Sequence, residues 1–454
     1  MQKITLIIFM FVAFVGAKAQ TNPAITNWMI NTTGIQGTHY VQGNSTAIND
    51  NVDANCQLVQ YSTDWVYVNA TGIPAYTTGP FLDGNPSIAS DRGAIFRFPL
   101  NPTQNTGTAT ATNGGNIGNF INGVALFDYR DGVAWNASTN ALCGGPGNPP
   151  CPGGPGATSA WNRDAIPAER GGFDCAKAHP AMGNYHHHQN PSAFNLDLVV
   201  VSNICDLYAS DGLYVIDENA HSPLIGYAHD GFPIYGAYGF KNEDGTGGIE
   251  RMKSGYSLRN ITTRTNGPAV NATYFLGYFR EDYEFIANAA DDYLNENNGR
   301  VCVTPEYPNG IYCYFATVDA NWNSTYPYVV GPKFYGNVTG GKVTSINETV
   351  QTYVPDTTVV DTSTSILNIN NGDLRVNVLP NPASDFVSIQ VQSIAKSDIK
   401  LSLIDLSGKE VQHAILYQGS TIAYLDTRTV YAGTYFIVVT VNGKQQVKKL
   451  VIQR

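Results

Sequence analysis

Turn-forming residues interrupt this chain so often that long regular elements are excluded over most of its length. The 454 residues include 45 glycines and 24 prolines, and apolar residues come in short alternating runs between turns, as in "FNLDLVVVSNIC" and "YPYVVGPKFYG". Glycine and proline disfavour helix interiors, whereas alternation with a period of two is typical of half-buried strands. The sequence therefore predicts a mainly β protein with few short helices. The best helix candidate is "YEFIANAADDYLNEN" (283–297), which has helical apolar spacing.

The N-terminus has the three parts of a secretory signal peptide. Lys3 precedes an apolar run over residues 4–15, and Ala17 and Ala19 follow in an A-x-A arrangement. We expect a signal peptide over residues 1–19 and cleavage after Ala19. The apolar run is shorter than the roughly 20 residues that a membrane-spanning helix needs, and no second run of this kind follows, so no transmembrane segment is expected.

Charge and motif content exclude several classes of function. The formal net charge of −10 is spread along the chain without acidic blocks or a basic patch, which argues against nucleic acid or an anionic membrane as partner. The sequence has no G-x-S-x-G elbow, no H-E-x-x-H helix, no phosphate-binding G-x-x-x-x-G-K and no Rossmann glycine pattern in a βαβ setting. No organic cofactor is therefore expected.

Export makes the seven cysteines candidates for disulfide bonds, with at least one left unpaired. Cys302 and Cys313 flank a Pro-Asn-Gly turn, which suits a cross-strand bridge in a hairpin. Cys143 and Cys151 bracket "GGPGNPP" and suit closure of an exposed loop. Buried free thiols are the alternative for either pair.

Cys175 has two possible roles. It is conceivable as a nucleophile beside His179, because a nearby imidazole can activate a thiol. In an oxidising compartment, however, pairing with Cys205 is favoured. We therefore predict a Cys175–Cys205 disulfide.

The end of the chain has its own pattern of short alternating strands. The segments "NVLPNPASDFVSIQV", "IKLSLIDLSGKEV" and "AGTYFIVVTVNGKQQVKKLVIQR" follow one another from Asn377, with Asn442-Gly443 as a type I′ hairpin turn. This pattern predicts a small β-sandwich over residues 375–454. A stretch rich in Thr, Ser, Asp and Asn precedes it and predicts a flexible linker over residues 341–374.

This tail resembles the C-terminal sorting domain of the type IX secretion system of Bacteroidetes. The resemblance rests on Pro380-Asn381-Pro382-Ala383-Ser384, the segment from Asp405 to Lys409, Gly433-Thr434-Tyr435 and Lys448-Lys449. It implies transport by the type IX machinery across the outer membrane, then removal of the tail or attachment to the cell surface, and no catalytic role. An ordinary sandwich appended for binding is the alternative.

Six of the eight histidines fall between residues 179 and 229. In "GNYHHHQNP", an extended chain would place His186 and His188 on one face, with Tyr185 and His187 on the other. An H-x-H pair on a strand can hold one ion at about 2.0–2.1 Å from each nitrogen, if loops supply further ligands. His187 is expected to be structural. The alternative is that His186 and His188 are only polar strand residues.

The other candidate metal ligands are His179, His221, His229 and Asp230. Asp230 would either ligate or orient a ligating histidine through its second ring nitrogen. An imidazole-rich site of this kind suits Zn, Cu, Fe or Ni. We expect a transition metal, with Zn or Cu favoured.

Four segments resemble the YHYH-domain family of exported bacterial proteins: "HPAMGNYHHHQNP", "HSPLIGYAHDGFPIYGAYG", "TPEYPNGIYCYFAT" and "YPYVVGPKFYG". The resemblance predicts a YHYH-like domain over residues 116–340, after an N-terminal β-rich region over residues 20–115. The chain departs from the Tyr-His-Tyr-His motif at His187, where the second tyrosine is expected, whereas both motif histidines are present as His186 and His188. The resemblance implies an architecture and a site location, and no reaction.

Functions of different classes fit these features. A zinc site with one open position lowers the pKa of bound water to about 7, which supports a metal-dependent hydrolase. The alternative is a non-catalytic surface module, in which aromatic loops such as "STDWVYVNATGIPAY" and "AWNRDAIPAERGGF" bind glycans or another small ligand and the histidines are structural. The same aromatic residues would equally suit a core. A third interpretation is an adhesin in which a metal serves only as a staple.

Overall fold

The computed structural model divides the chain into two compact units, Met1–Pro355 and Asp356–Arg454. It describes residues 22–84, 87–154, 158–355, 376–379, 383, 386–391, 399–405, 409–417, 420–441 and 444–452. The predicted signal peptide, most of the predicted linker and the Asn442-Gly443 turn lie outside the described residues, as do several residues of the sorting motifs.

The described part of the first unit consists of short strands joined by turns. Its α-helices are α1 (Pro23–Thr26) and α2 (Ala165–Glu169), and single 3₁₀ turns cover Arg170–Gly172, Phe194–Leu196, Ile204–Asp206 and Arg280–Asp282. The strands are β1 (Gln36–Val41), β2 (Asn44–Asp53), β3 (Cys56–Tyr61), β4 (Trp65–Ala70), β5 (Ala94–Pro99), β6 (Asn116–Phe120), β7 (Ala125–Phe127), β8 (Arg130–Asn136), β9 (Ala141–Cys143), β10 (Asn162–Asp164), β11 (Ala178–Ala181), β12 (Asn184–His187), β13 (Leu224–Ala228), β14 (Pro233–Tyr235), β15 (Tyr238–Phe240), β16 (Ile249–Arg251), β17 (Tyr256–Leu258), β18 (Tyr283–Phe285), β19 (Gly299–Cys302), β20 (Ile311–Phe315), β21 (Gly341–Val343) and β22 (Gln351–Thr352).

An eight-stranded sheet forms the centre of this unit, in the order β11-β12-β7-β6-β13-β14-β20-β19. Most neighbours are antiparallel, but β12 pairs with β7 and β14 pairs with β20 in parallel. Strand β13 is buried at every residue because both of its faces are covered. Ile225 and Ala228 pack into one hydrophobic core, whereas Leu224 and Tyr227 pack into another.

A five-stranded sheet, in the order β21-β5-β4-β3-β22, shares the second of these cores. The Trp28 ring centroid lies 5.3 Å from that of Phe98 in β5 and 5.5 Å from that of Tyr227 in β13. Because residues from both sheets bury one another's apolar surface, residues 22–355 do not divide at 115/116 as predicted.

The predicted linker also begins too early. Strand β21 pairs antiparallel with β5, and β22 pairs with β3, so these two strands complete the edges of the five-stranded sheet. Residues 341–352 thus belong to the first unit, although their composition is typical of a linker. The rest of the predicted linker, from residue 356, lies outside the described residues.

The helix predicted over residues 283–297 is wrong. Tyr283–Phe285 form β18, which pairs with β17, and residues 286–291 are exposed turns and loop. The apolar residues at helical spacing therefore do not pack together against one core. Most helices in proteins are stabilised by burial of such an apolar face, which is missing here. Among the described residues, no helix is long and apolar enough to cross a membrane.

Two of the three predicted disulfides are confirmed. Cys143 bonds to Cys151, and Cys175 bonds to Cys205. The predicted Cys302–Cys313 bridge is not formed, and both cysteines are free and buried. Cys302 lies opposite Ile311 and Cys313 lies opposite Arg300, so the pair is diagonal across the hairpin, where Cβ atoms are normally too far apart for a disulfide.

The C-terminal unit has the predicted β-sandwich character. Its strands are β23 (Val376–Leu379), β24 (Phe386–Val391), β25 (Ile399–Ile404), β26 (Glu410–Leu416), β27 (Ile422–Asp426), β28 (Gly433–Val441) and β29 (Lys444–Ile452). They form the sheets β23-β24-β27 and β26-β25-β28-β29. Alternate residues of both sheets, among them Val387, Ile389, Leu401 and Leu403, bury one common core.

Candidate metal centre

The β11–β12 hairpin brings three histidines together at the edge of the central sheet. Its strands are antiparallel with His179 opposite His186, and Gly183 makes the connecting turn with a φ of +81°. Because side chains alternate along an extended chain, His188 faces the same side as His186. One side-chain nitrogen from each of the three lies within 4.8 Å of the others, and all three residues are buried. The structure thus brings together three of the six predicted ligands.

The hydrogen bonds of His186 and His188 determine which nitrogen faces the site. His186 Nδ1 donates to the Asn184 carbonyl at 2.8 Å, and His188 Nδ1 donates to the Asp128 carbonyl at 2.7 Å. A carbonyl oxygen only accepts, so both Nδ1 atoms carry the proton and both Nε2 atoms of the neutral rings present lone pairs. These two Nε2 atoms are 3.0 Å apart. Two lone pairs repel at this distance, and a cation, either a proton or a metal ion, is required between them.

Glu169 adds a carboxylate to the three imidazoles. Its Oε2 lies 3.1 Å from His179 Nε2 and 3.3 Å from His188 Nε2. The Glu169 side chain is 24% exposed, whereas those of the two histidines are 9% and 4% exposed. The Glu169 side chain is therefore the more exposed one, although its Oε2 is itself buried. Sequence analysis missed Glu169.

Helix α2 positions Glu169. Asp164 caps the helix, because its Oδ1 accepts a hydrogen bond from the Ile166 backbone N–H at 2.8 Å. Its Oδ2 accepts a second one from the Tyr328 hydroxyl at 2.8 Å. The sequence signal for this helix is only the cap followed by Pro167 in the first turn, since five residues are too few to show an apolar period.

Burial and charge act in opposite directions on the ionisable groups of the cluster. Burial alone would raise the pKa of Glu169, but His179 and His188 outweigh burial and lower it below its usual range. Burial lowers the pKa of His186 well below its usual range, and the two neighbouring histidines lower it further. Burial also acts to lower the pKa of His188, but Glu169 and the Asp128 carbonyl outweigh burial and raise it. The carboxylate is thus ionised beside the imidazoles.

Aromatic rings hold two of the imidazoles in place. Phe127 stacks on His186, with ring centroids 4.0 Å apart and an interplanar angle of 23°. Phe173 contacts His179 edge to face at 5.0 Å. These contacts limit rotation of the imidazoles and so help to fix the positions of their nitrogens.

A cleft of about 660 Å³ opens beside the cluster, and Glu169 and the three histidines form part of its wall. Other walls come from β8 and from the loop over residues 144–154, which the Cys143–Cys151 disulfide closes. Many of the remaining lining residues are glycines, which expose backbone groups: Gly114, Gly115, Gly132, Gly144, Gly145 and Gly154. The size is that of a small-molecule site.

His221 and His229 do not belong to the cluster, contrary to the prediction. His221 Nδ1 donates to the Ser222 carbonyl at 2.8 Å, and its ring contacts Tyr235 edge to face at 5.1 Å. His229 lies with its ring centroid 6.2 Å from that of Phe98. Burial lowers the pKa of each to about 4. Both are neutral core histidines, and closeness in sequence did not make them neighbours of the H-x-H pair.

Asp230 is also a structural residue rather than a ligand or an orienting group. Its carboxylate accepts hydrogen bonds from the Tyr314 hydroxyl at 2.6 Å and from the backbone N–H groups of Gly336 at 2.8 Å and Phe232 at 3.3 Å. Burial raises its pKa to about 6. Tyr314 lies in β20, Phe232 directly precedes β14 and Gly336 lies in the loop before β21, and none of these donors is a histidine.

His187 has the structural role predicted for it. It lies on the opposite face of β12, where the Tyr76 hydroxyl is 2.8 Å from its Nε2 and Phe120 contacts it edge to face at 5.3 Å. Burial lowers its pKa to about 3. The departure from the Tyr-His-Tyr-His motif therefore falls on the side of the strand away from His186 and His188.

Two parts of the chain match known protein families. Residues 377–453 match a secretion system C-terminal sorting domain, which confirms the resemblance of the tail. The protein is therefore of the class that the type IX machinery exports to the cell surface or the extracellular space. The signal peptide stays a prediction.

Residues 95–328, slightly more than half of the chain, match the family described as YHYH protein. The chain belongs to this family. The match begins in β5, within the region predicted to precede the domain, which agrees with the shared core of the two sheets. Comparison with curated proteins gives no match.

Proposed function

We propose that this exported protein binds one transition-metal ion, zinc or copper, through His179, His186 and His188, and that it acts as a metal-dependent hydrolase. The observation that carries the proposal is the pair of Nε2 atoms, from His186 and His188, that lie 3.0 Å apart with both Nδ1 atoms committed to carbonyl oxygens. A proton shared between these two Nε2 atoms would bind only two imidazoles, whereas a metal ion at about 2.0–2.1 Å from each nitrogen can bind all three histidines.

The cleft supports catalysis over a purely structural metal. Structural zinc sites are closed, whereas catalytic sites keep a position open to water or substrate. The histidines here line a space of about 660 Å³. An ion held at its wall would act as a Lewis acid on an oxygen atom of substrate or water.

The alternative of a glycan-binding module depends on aromatic side chains that lie in the core. Tyr67, Trp161 and Phe173 are at most 9% exposed. Trp65 is covered by the guanidinium of Arg97, 4.1 Å from its ring centroid. Three of these residues are buried and Trp65 already stacks with Arg97, so these side chains give the alternative no support.

Metal content tests the binding part of the proposal. The full chain, exported through an oxidising compartment, should carry about one equivalent of zinc or copper by elemental mass spectrometry, and the His186→Ala/His188→Ala double variant should carry none. The His229→Ala variant is the matched control, because it removes another buried histidine and should retain the metal. No bound ion in the wild-type protein, even after incubation with zinc and copper, would refute the proposal.

Activity tests the second part. The metal-loaded protein should hydrolyse at least one of a panel of ester, amide, phosphoester and glycoside substrates. The activity should be lost with a chelator and in the double variant, and restored to the wild-type protein by added metal. A protein that holds its metal but hydrolyses none of these substrates would leave the binding site standing and refute the hydrolase.

A further inference from the structure

We infer that Glu169 is the fourth ligand of the ion, and that the four donors occupy one side of it and leave the side towards the cleft open to a small oxygen- or nitrogen-donor ligand. This inference rests on the proposed metal site and extends it, because the ligands proposed above are all histidines. Carboxylate oxygen binds transition ions at about 2.0–2.2 Å, close to the distance for imidazole nitrogen.

Three of the separations among the four donor atoms are compatible with one coordination shell. Glu169 Oε2 is 3.1 Å from His179 Nε2 and 3.3 Å from His188 Nε2, and the Nε2 atoms of His186 and His188 are 3.0 Å apart. A general base acting on a water at the ion would stand beyond the ligand shell, separated from it by that water. At 3.1 Å and 3.3 Å, the carboxylate is instead about as close to the Nε2 atoms of His179 and His188 as the Nε2 atoms of His186 and His188 are to each other.

The same separations are shorter than a regular tetrahedron allows. For donors at about 2.05–2.1 Å from an ion, the separations correspond to angles at the ion of about 94° for the two histidines and about 97° and 105° for the two Glu169 pairs. A tetrahedron needs angles near 109° and leaves no open side. For these three pairs, angles nearer to 90° match the adjacent positions of a five- or six-coordinate site, in which further positions stay open.

The open side of the ion would face the cleft beside the histidine cluster. Phe127 stacks on His186, and Glu169 and the three histidines form part of the wall of the cleft, so an ion held by them would face the cleft. His179 Nδ1 is buried without a hydrogen-bond partner among the described residues, so no hydrogen bond at Nδ1 fixes the tautomer of this ring, and its Nε2 is the nitrogen that faces Glu169 Oε2, at 3.1 Å. A small anion or a carbonyl oxygen entering the cleft would meet the ion directly.

Cobalt(II) spectroscopy on the full chain tests both parts of the inference. Cobalt(II) should bind wild-type protein with the weak visible absorption of a five- or six-coordinate site, and azide should change that spectrum by entering an open position. The Glu169→Gln variant should bind cobalt at least 10- to 100-fold more weakly in a chelator competition, since loss of an outer-shell partner alone costs about that much. Glu218→Gln, on an exposed loop, is the matched control and should change neither quantity.

Each outcome decides a separate point. If Glu169→Gln keeps the affinity and spectrum of the wild-type protein, Glu169 is not a ligand, and the three-histidine site stands without it. If azide leaves the wild-type spectrum unchanged, or the absorption has tetrahedral intensity, the site is closed. If wild-type protein binds no cobalt, zinc or copper, the proposed function itself fails. Melting temperatures measured with chelator show whether the glutamine variant is folded.

Discussion

A buried ion pair anchors the segment that carries the three histidines, and its removal is predicted to be costly. Lys177 Nζ lies 2.6 Å from Asp197 Oδ1 and 3.1 Å from Ser192 Oγ, and the two charged side chains are 0% and 1% exposed. The pair joins the residue before β11 to a residue beyond β12. We predict that Lys177→Met lowers the free energy of unfolding by about 3–5 kcal/mol, because Asp197 is left buried without a counter-charge.

The matching double variant separates this penalty from the loss of packing. Lys177→Met/Asp197→Leu removes both charges and should recover most of the lost stability, since well-packed apolar replacements of a buried pair are often neutral or better. The penalty of the single variant should also shrink at acid pH. Burial raises the pKa of Asp197 to about 6 even beside Lys177, and a protonated carboxyl needs no counter-charge.

Urea unfolding followed by tryptophan fluorescence measures these effects. All variants are compared in chelator, so that metal binding does not contribute, and a shifted midpoint at constant slope reports stability. Lys333→Met is the matched control, because its partner Glu296 is 3.7 Å away and both side chains are about half exposed; it should change stability by less than about 1 kcal/mol. A loss below about 1 kcal/mol for Lys177→Met, or a double variant no more stable than the single one, would refute the reasoning.

Two further predictions concern pH and the covalent structure of the cleft. Burial raises the pKa of Asp174 to about 7, although hydrogen bonds from the Gly79 N–H and the Tyr185 hydroxyl act to lower it. When the folded state raises the pKa of an acid, the protonated acid contributes to stability fully below about pH 4. That contribution is lost as the pH rises to about 7. The stability of wild-type protein relative to Asp174→Asn should therefore fall by about 1.4 kcal/mol per pH unit in urea titrations across this window, and a constant difference would contradict the assigned pKa. Cys143→Ser/Cys151→Ser opens a loop with a sequence separation of 8 and should cost about 2–3 kcal/mol by the chain-entropy estimate; a midpoint equal to that of wild-type protein would show that the disulfide contributes no stability.

Short-range sequence patterns were enough to predict those features of this protein that depend on contacts between residues close together in the chain. The period of two along an extended strand is enough to place His186 and His188 on one face and His187 on the other, wherever the strand lies in a sheet. A disulfide between Cys143 and Cys151 needs only the intervening turn residues. The tail could be recognised because its strands and turns follow one another in sequence, so that few long-range pairings were needed.

Only the tertiary structure decided which residues form the histidine cluster. Glu169 lies in a five-residue helix that is capped by Asp164. The Tyr328 hydroxyl, 164 residues from Asp164 in sequence, donates a hydrogen bond to this cap, and no local sequence pattern predicts such a contact. His221 and His229 lie closer in sequence to the H-x-H pair than Tyr328 does to α2, yet they face other cores. The strands at 341–352 likewise joined the sheet of β3–β5, because edge pairing with distant strands buried a segment whose composition alone favoured a linker. In each case the deciding free energy comes from contacts between residues far apart in the chain, which composition and spacing do not encode.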